Sequence, residues 1–140
     1  MYKCKYFTIK ELVHPNNLKI NEDILWLLLD ERILRFADKI RERYGACYIN
    51  TSQLKDCGLR DINSTTGAKY SQHKFGRALD LHIMSIEKKK LTHEQKTKEY
   101  NEVRQELIKN KEFDALNFEN NIYWLHIDVG NRKNRLFNPS

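Results

Sequence analysis

The chain has 140 residues, of which 40% are hydrophobic and 31% charged, with only 5 Gly and 2 Pro. These proportions exclude a collagen-like, low-complexity or wholly disordered chain and leave enough apolar surface for one domain spanning residues 1–140. With 25 Lys and Arg against 19 Asp and Glu, the formal charge is +6, which favours encounter with polyanions without choosing among nucleic acid, acidic lipid and an anionic cell wall.

The opening MYKCKYFTIKEL holds no apolar run of signal-sequence length and no small-residue cleavage site. Synthesis in the cytosol without a secretory signal is therefore expected. Cys4, Cys47 and Cys57 form no CxxC pair, and their odd number makes no disulfide framework, so reduced thiols are expected. The N-terminal arm ends at the turn-forming His14–Pro15–Asn16–Asn17. Asn21 is placed to cap a helix over Glu22–Leu29, whose ILWLLL run at 24–29 is too short to cross a bilayer; Trp26 and Leu27–Leu29 are expected in the core. No membrane insertion is expected. Ile33, Leu34, Ala37, Ile40 and Tyr44 recur at three- and four-residue steps and predict a second helix over Asp30–Tyr44, stopped by Gly45, with its charges mostly on the other face.

Cys47–Thr51 (CYINT) reads as a short strand. Ser52–Ser71 is polar, with Gly58, Gly67 and a Ser64–Thr65–Thr66 cluster, and reads as a long loop of the kind that usually carries function. Arg77–Ile83 alternates as a strand, with Leu79, Leu81 and Ile83 on one face and Ala78, Asp80 and His82 on the other. Thr92 and Gln95 have capping-box spacing at the head of a helix over Thr92–Lys111, with Val103, Leu107 and Ile108 facing inward. Ala115–Phe118 and Tyr123–Val129 predict two strands joined by a turn at Asn120–Asn121. In the second, Trp124, His126 and Asp128 oppose Leu125, Ile127 and Val129. The pattern predicts an α+β domain: a small, mainly antiparallel sheet with helices packed on one face.

The polar faces of the two late strands gather Asp80, His82, His126 and Asp128, and His73 can swing in from the preceding loop. Imidazole and carboxylate are the donors that Zn²⁺ takes where thiolates are absent. Three protein ligands with a fourth position open is the catalytic form of such a site. His82, two residues further along the strand, falls beyond metal reach. His14 and His93 read as surface histidines, Lys88–Lys90 as a solvated charge run, and Glu112 and Asp114 as solvated acids at a helix end.

Ser71–Gln72–His73–Lys74–Phe75–Gly76–Arg77–Ala78–Leu79–Asp80 has the form SxHxxGxAxD, and Trp124–Leu125–His126–Ile127–Asp128 the form WxHxD. The chain resembles the zinc D-alanyl-D-alanine carboxypeptidase and L,D-endopeptidase family, which includes phage endolysins and shares its fold with the hedgehog signalling domain. Tyr6–Leu12, Gly58–Leu59–Arg60 and Leu136–Pro139 are similar to its small phage-encoded branch, so the resemblance spans nearly the whole chain. It implies that His73, Asp80 and His126 bind Zn²⁺, that Gly76 and Ala78 let the loop turn close to the metal, and that Ser71 holds the loop or a substrate carbonyl. Arg60 would bind a substrate oxygen or carboxylate, Trp124 would wall the substrate pocket, and Asp128 would orient a ligand histidine from behind. The family's well-known carboxypeptidases place a Glu three residues before the last His; Tyr123 stands there in this chain, and Glu119, seven residues before, is the expected general base.

The function so implied is hydrolysis of a peptide bond involving a D-amino acid in peptidoglycan stem peptides, by a monomeric zinc metallopeptidase of carboxypeptidase or endopeptidase type. It would act at the cell wall after release, or within a virion. The alternative is a zinc-binding relative with little activity and a structural role in a virion or assembly. Nucleic-acid binding is suggested by charge alone, without a helix–turn–helix, zinc-finger or RNP pattern. His₂Asp would also accept other divalent ions.

Overall fold

In a computed structural model, residues 1–61, 63–65 and 67–139 are described; Thr66, part of the predicted loop cluster, lies outside them. Helices α1 (Ile9–Leu12), α2 (Glu22–Leu28) and α3 (Glu31–Tyr44) precede strand β1 (Cys47–Tyr48). Strand β2 (Ala78–Ile83) leads into α4 (Met84–Glu87) and α5 (His93–Ile108), and β3 (Asn117–Glu119), β4 (Leu125–Asp128) and β5 (Leu136–Phe137) complete the chain. The fold is α+β, as expected, around a five-stranded sheet in the order β1-β2-β4-β3-β5. All pairings are antiparallel except β3 with β5.

Caps delimit the helices largely where the sequence put them. Asn21 Oδ1 accepts from the Asp23 amide, Asp30 Oδ1 from the Arg32 amide, and Thr92 with Gln95 forms a reciprocal capping box. Each such cap contributes about 1 kcal/mol. Ile33, Leu34, Ala37 and Ile40 of α3 and Tyr100, Val103 and Leu107 of α5 enter one core with Leu79, Leu81, Ile83, Leu125 and Ile127. One sheet face is thus sealed by helices, and the alternation of the strands sends Asp80, His82 and His126 to the other.

The elements depart from expectation in several places. Strand β1 stops at Tyr48, because Asn50 is drawn into other bonds: its Nδ2 donates to Val13 O and its Oδ1 accepts from the Cys57 amide. The first of the two late strands is shifted to Asn117–Glu119, and α5 ends at Ile108. Leu27 and Leu28, expected in the core, are exposed, while Leu25, Trp26 and Leu29 are buried; the apolar stripe of α2 is narrower than its run of leucines. Asp38, on the nominally charged side of α3, is buried and accepts from Tyr2 Oη and from the Lys5 and Tyr6 amides. His93 stacks on Tyr123 with ring centroids 4.2 Å apart. The three cysteines are free, and among the described residues no helix is long and apolar enough to cross a membrane.

A 3-10 turn over Gln72–Phe75 connects the loop to β2 and carries His73. It closes on Gly76, whose φ of +68° is left-handed and whose absent Cβ would fall 2.0 Å from Leu28 O. Gly76→Ala is expected to lower stability by about 1–3 kcal/mol from the backbone conformation alone, and by more once the overlap forces α2 and the turn apart. Urea denaturation measures the loss.

Candidate metal centre

Register assembles the site. Strand β4 lies between β2 and β3, and Asp80 pairs directly with His126. Asn117 pairs with Asp128 and Phe118 with Ile127, so continuing that ladder brings Glu119 opposite His126 on the other side. Asp80, His126 and Glu119 therefore form one row across three strands, on the face away from the helices. His73 reaches the row from its 3-10 turn.

The nitrogens are presented with defined roles. His73 Nδ1 lies 3.1 Å from Gly58 O, a group that only accepts, so this nitrogen donates there, and Nε2 faces Asp80 Oδ2 at 3.3 Å. His126 Nε2 lies 2.9 Å from Asp128 Oδ2, and His126 Nδ1 faces Asp80 Oδ1 at 2.8 Å and Glu119 Oε2 at 3.9 Å. One ligand atom from each of His73, Asp80 and His126 lies within 4.8 Å of the other two, and all three residues are buried.

This donor set fits a divalent cation. With His126 neutral and its proton on Nε2, the Nδ1 lone pair and the Asp80 carboxylate confront each other at 2.8 Å, an arrangement that requires a proton or a cation between them. Each histidine also has its distal nitrogen held by an acceptor, the arrangement that fixes the tautomer and ring orientation of a metal ligand. Two imidazoles and one carboxylate suit Zn²⁺ at about 2.0–2.2 Å.

Without a cation the proton takes its place. Burial opposes charge on His126, but hydrogen bonds to Asp128 and Asp80 outweigh it and raise its pKa to about 9. Burial likewise works against the Asp80 carboxylate, and the charge of His73 and the hydrogen bond from His126 overcome it, holding Asp80 well below the usual carboxylate range. Asp128 is held low in the same way: against burial stand His126, Arg132 and Asn117.

The remaining expected residues meet here. Arg60, Ser71, Glu119 and Trp124 line a cleft of about 440 Å³ with His73, Asp80 and His126. Ser71 Oγ accepts from the His73 amide at 3.3 Å and from Arg60 Nη1 at 3.4 Å, so it fixes the turn and the guanidinium together. Arg60 Nε donates to Asp56 O, and Gly67, at φ +74°, lies where a Cβ would meet Arg60 Nη1 at 2.4 Å. A second cleft, of about 320 Å³, shares Arg60, Asp80 and Trp124 with the first and adds His82 and Tyr123. His82 stands outside the ligand group, stacked on Tyr48 at 4.8 Å. Glu112 and Asp114 are exposed, as expected.

Arg132, Asn117 and Arg104 were not singled out by the sequence reading. Arg132 Nε lies 3.1 and 2.9 Å from the two Asp128 oxygens, and Asn117 Nδ2 donates to Asp128 Oδ1 at 2.9 Å. Asn117 is the antiparallel partner of Asp128, which the sequence reveals only once the strand ends are placed. Arg104, fully buried, donates to Ile122 O and Trp124 O and so ties the β3–β4 turn to α5. Its one sequence signal is a cation between the inward-facing Val103 and Leu107.

The raised His126 pKa fixes the sign of a pH dependence. A folded pKa of about 9 against about 6.5 unfolded means that protonation of His126 stabilises the metal-free fold. That stability is complete below pH ~6.5 and is lost as pH rises through about 9, on the order of 3 kcal/mol. Thermal denaturation of chelator-treated protein should show this decline between pH 6.5 and 9, and a cation bound in place of the proton would abolish it. At pH 7.5 in weak buffer, a cation that took the place of this proton would release about one proton per chain.

Comparison with protein-family models, with curated proteins and with solved structures finds no match for this chain.

Proposed function

We propose that the protein is a zinc-dependent peptidase that hydrolyses a peptide bond involving a D-amino acid in the stem peptides of bacterial peptidoglycan. The row Asp80–His126–Glu119 with His73 beside it supports metal-assisted hydrolysis, and the substrate class is what the resemblance of the SxHxxGxAxD and WxHxD motifs implies. The row combines a three-residue donor set with a carboxylate 3.9 Å from the ligand nitrogen of His126, at the floor of an open cleft. His73, Asp80 and His126 would hold the ion. A zinc ion there supplies Lewis acidity, polarising a carbonyl and making water a nucleophile near neutral pH.

The chain's own groups divide the rest of the work. Glu119, 22% exposed at its side chain, takes a proton from the attacking water and returns it to the leaving amine. Arg60, held by Ser71 and Asp56 O, places a fixed guanidinium where negative charge develops on the carbonyl oxygen. Trp124 walls the cleft beside the scissile bond. Asp128 keeps the proton of His126 on Nε2 and thereby keeps Nδ1 available. The net positive charge favours contact with an anionic wall.

Metal analysis combined with mass spectrometry of digested peptidoglycan tests the proposal. One zinc per chain and a defined cut in the stem peptide are expected for the wild type. Glu119→Gln should keep the zinc and lose roughly 10²–10⁴-fold in rate. Stoichiometric zinc with no cleavage would overturn the peptidase reading in favour of a structural zinc-binding role, and undiminished activity of the variant would remove Glu119 from the mechanism.

A further inference from the structure

The second cleft, of about 320 Å³, runs on from the metal cleft through Arg60, Asp80 and Trp124, and the reaction as described does not use it. One of its walls is aromatic. Trp124 meets the Tyr123 ring edge-on, with centroids 5.0 Å apart and planes at 88°. His93 stacks on the same tyrosine at 4.2 Å, its plane tilted by only 8°. Tyr123 is thus held from two sides, yet 38% of it stays exposed. An aromatic ring braced by neighbours and still open to the cleft serves as a platform for a ligand more naturally than as core.

Polar groups without partners adjoin this platform. Trp124 Nε1 and His82 Nδ1, on two rings that line the cleft, are buried and have no hydrogen-bond partner among the described residues. Buried polar atoms are satisfied in the great majority of cases. An indole N–H only donates, so the one at Trp124 calls for an acceptor from outside the chain. Gln53 adds an exposed amide at the rim. Formal charges balance across the lining, with Lys55 and Arg60 against Asp56 and Asp80. Such a cleft suits a neutral ligand with an apolar face and a hydrogen-bonding edge. A pyranose ring has that form: the C–H bonds of its face pack on an aromatic ring, and its hydroxyl and acetamido groups exchange hydrogen bonds with side chains. An oxygen of either kind supplies the acceptor that the Trp124 N–H lacks.

We propose that the second cleft is a saccharide subsite, with Tyr123 as its platform, that takes one N-acetylated sugar of the glycan strand, so that stem peptides still attached to glycan are cut in preference to released ones. The inference rests on the peptidase reading above. The stem peptide joins the glycan through a lactyl group on a sugar ring, and because the two clefts are contiguous one substrate reaches both.

The test uses zinc-loaded full-length protein and two synthetic substrates, an N-lactoyl stem peptide and its N-acetylmuramoyl counterpart, which differ only by the sugar ring. The wild type should favour the sugar-bearing peptide by about 10-fold in kcat/KM. Tyr123→Ala should abolish this preference chiefly through KM, with zinc content and cleavage of the sugar-free peptide unchanged. Tyr123→Phe should keep most of it, since the ring face is what the sugar meets, and Gln53→Ala should lose part of it. Equal cleavage of the two peptides by the wild type would overturn the subsite while leaving the peptidase reading intact. So would an equal loss on both peptides in Tyr123→Ala, which would give the ring only a structural role. If neither peptide is cut, the peptidase reading fails, and calorimetric binding of the same pair decides the remainder. Tighter binding of the sugar-bearing peptide, lost in Tyr123→Ala, retains the subsite, and equal or absent binding overturns it.

Discussion

A buried imidazole with a carboxylate at each nitrogen is the constraint to which the rest of the molecule is fitted. His126 stands between Asp80 and Asp128 on a strand paired on both sides. Charges removed from water are costly unless paired and fully hydrogen-bonded. The surroundings meet that demand group by group: His73 turns toward Asp80, while Asn117, the Gly130 amide and Arg132 turn toward Asp128. A slip of one residue between β2 and β4 would send this cluster into the helix-covered face and expose Leu79, Leu125 and Ile127. Apolar burial on one face and ionic pairing on the other therefore specify the same register.

A sheet with two-residue edge strands has few ladder bonds to hold its margins. Side-chain bonds to the backbone make up for this. Arg104 secures the β3–β4 turn through Ile122 O and Trp124 O, and Arg135 gathers Ile108 O, Phe113 O and Leu116 O at the end of α5. Asp38 anchors the N-terminal arm on α3, and Asn50 joins Val13 O to the Cys57 amide. Irregular segments so tied can carry site residues with the precision of regular strands. Arg60 and Ser71, both outside helices and strands, are locked to each other and to the backbone of the His73 turn.

The sequence made the strands bearing Asp80 and His126 readable because strict alternation separates their apolar and polar residues. The caps at Asn21 and Thr92 were readable because capping is local chemistry. Asp38 was not, since it acquires its role from the amides of Lys5 and Tyr6, which the chain brings back over a distance. Strand β5 has too few residues for any periodicity. The leucines of α2 misled because a run of apolar residues does not say which side of a short helix will be covered. Glu119 was placed by spacing and resemblance; its position opposite His126 follows only from the pairing of β3 with β4.

Trp124 stands where the two clefts meet, next to Arg60 and Asp80. The chain's other tryptophan, Trp26, is 5% exposed in the core and hydrogen-bonded to Glu22. The two indoles thus occupy different environments, one in the core and one half-buried in the wall of the clefts. Fluorescence from the first reports the integrity of the fold, and fluorescence from the second reports what fills the clefts, which gives the protein a built-in optical gauge of occupancy that needs no added label.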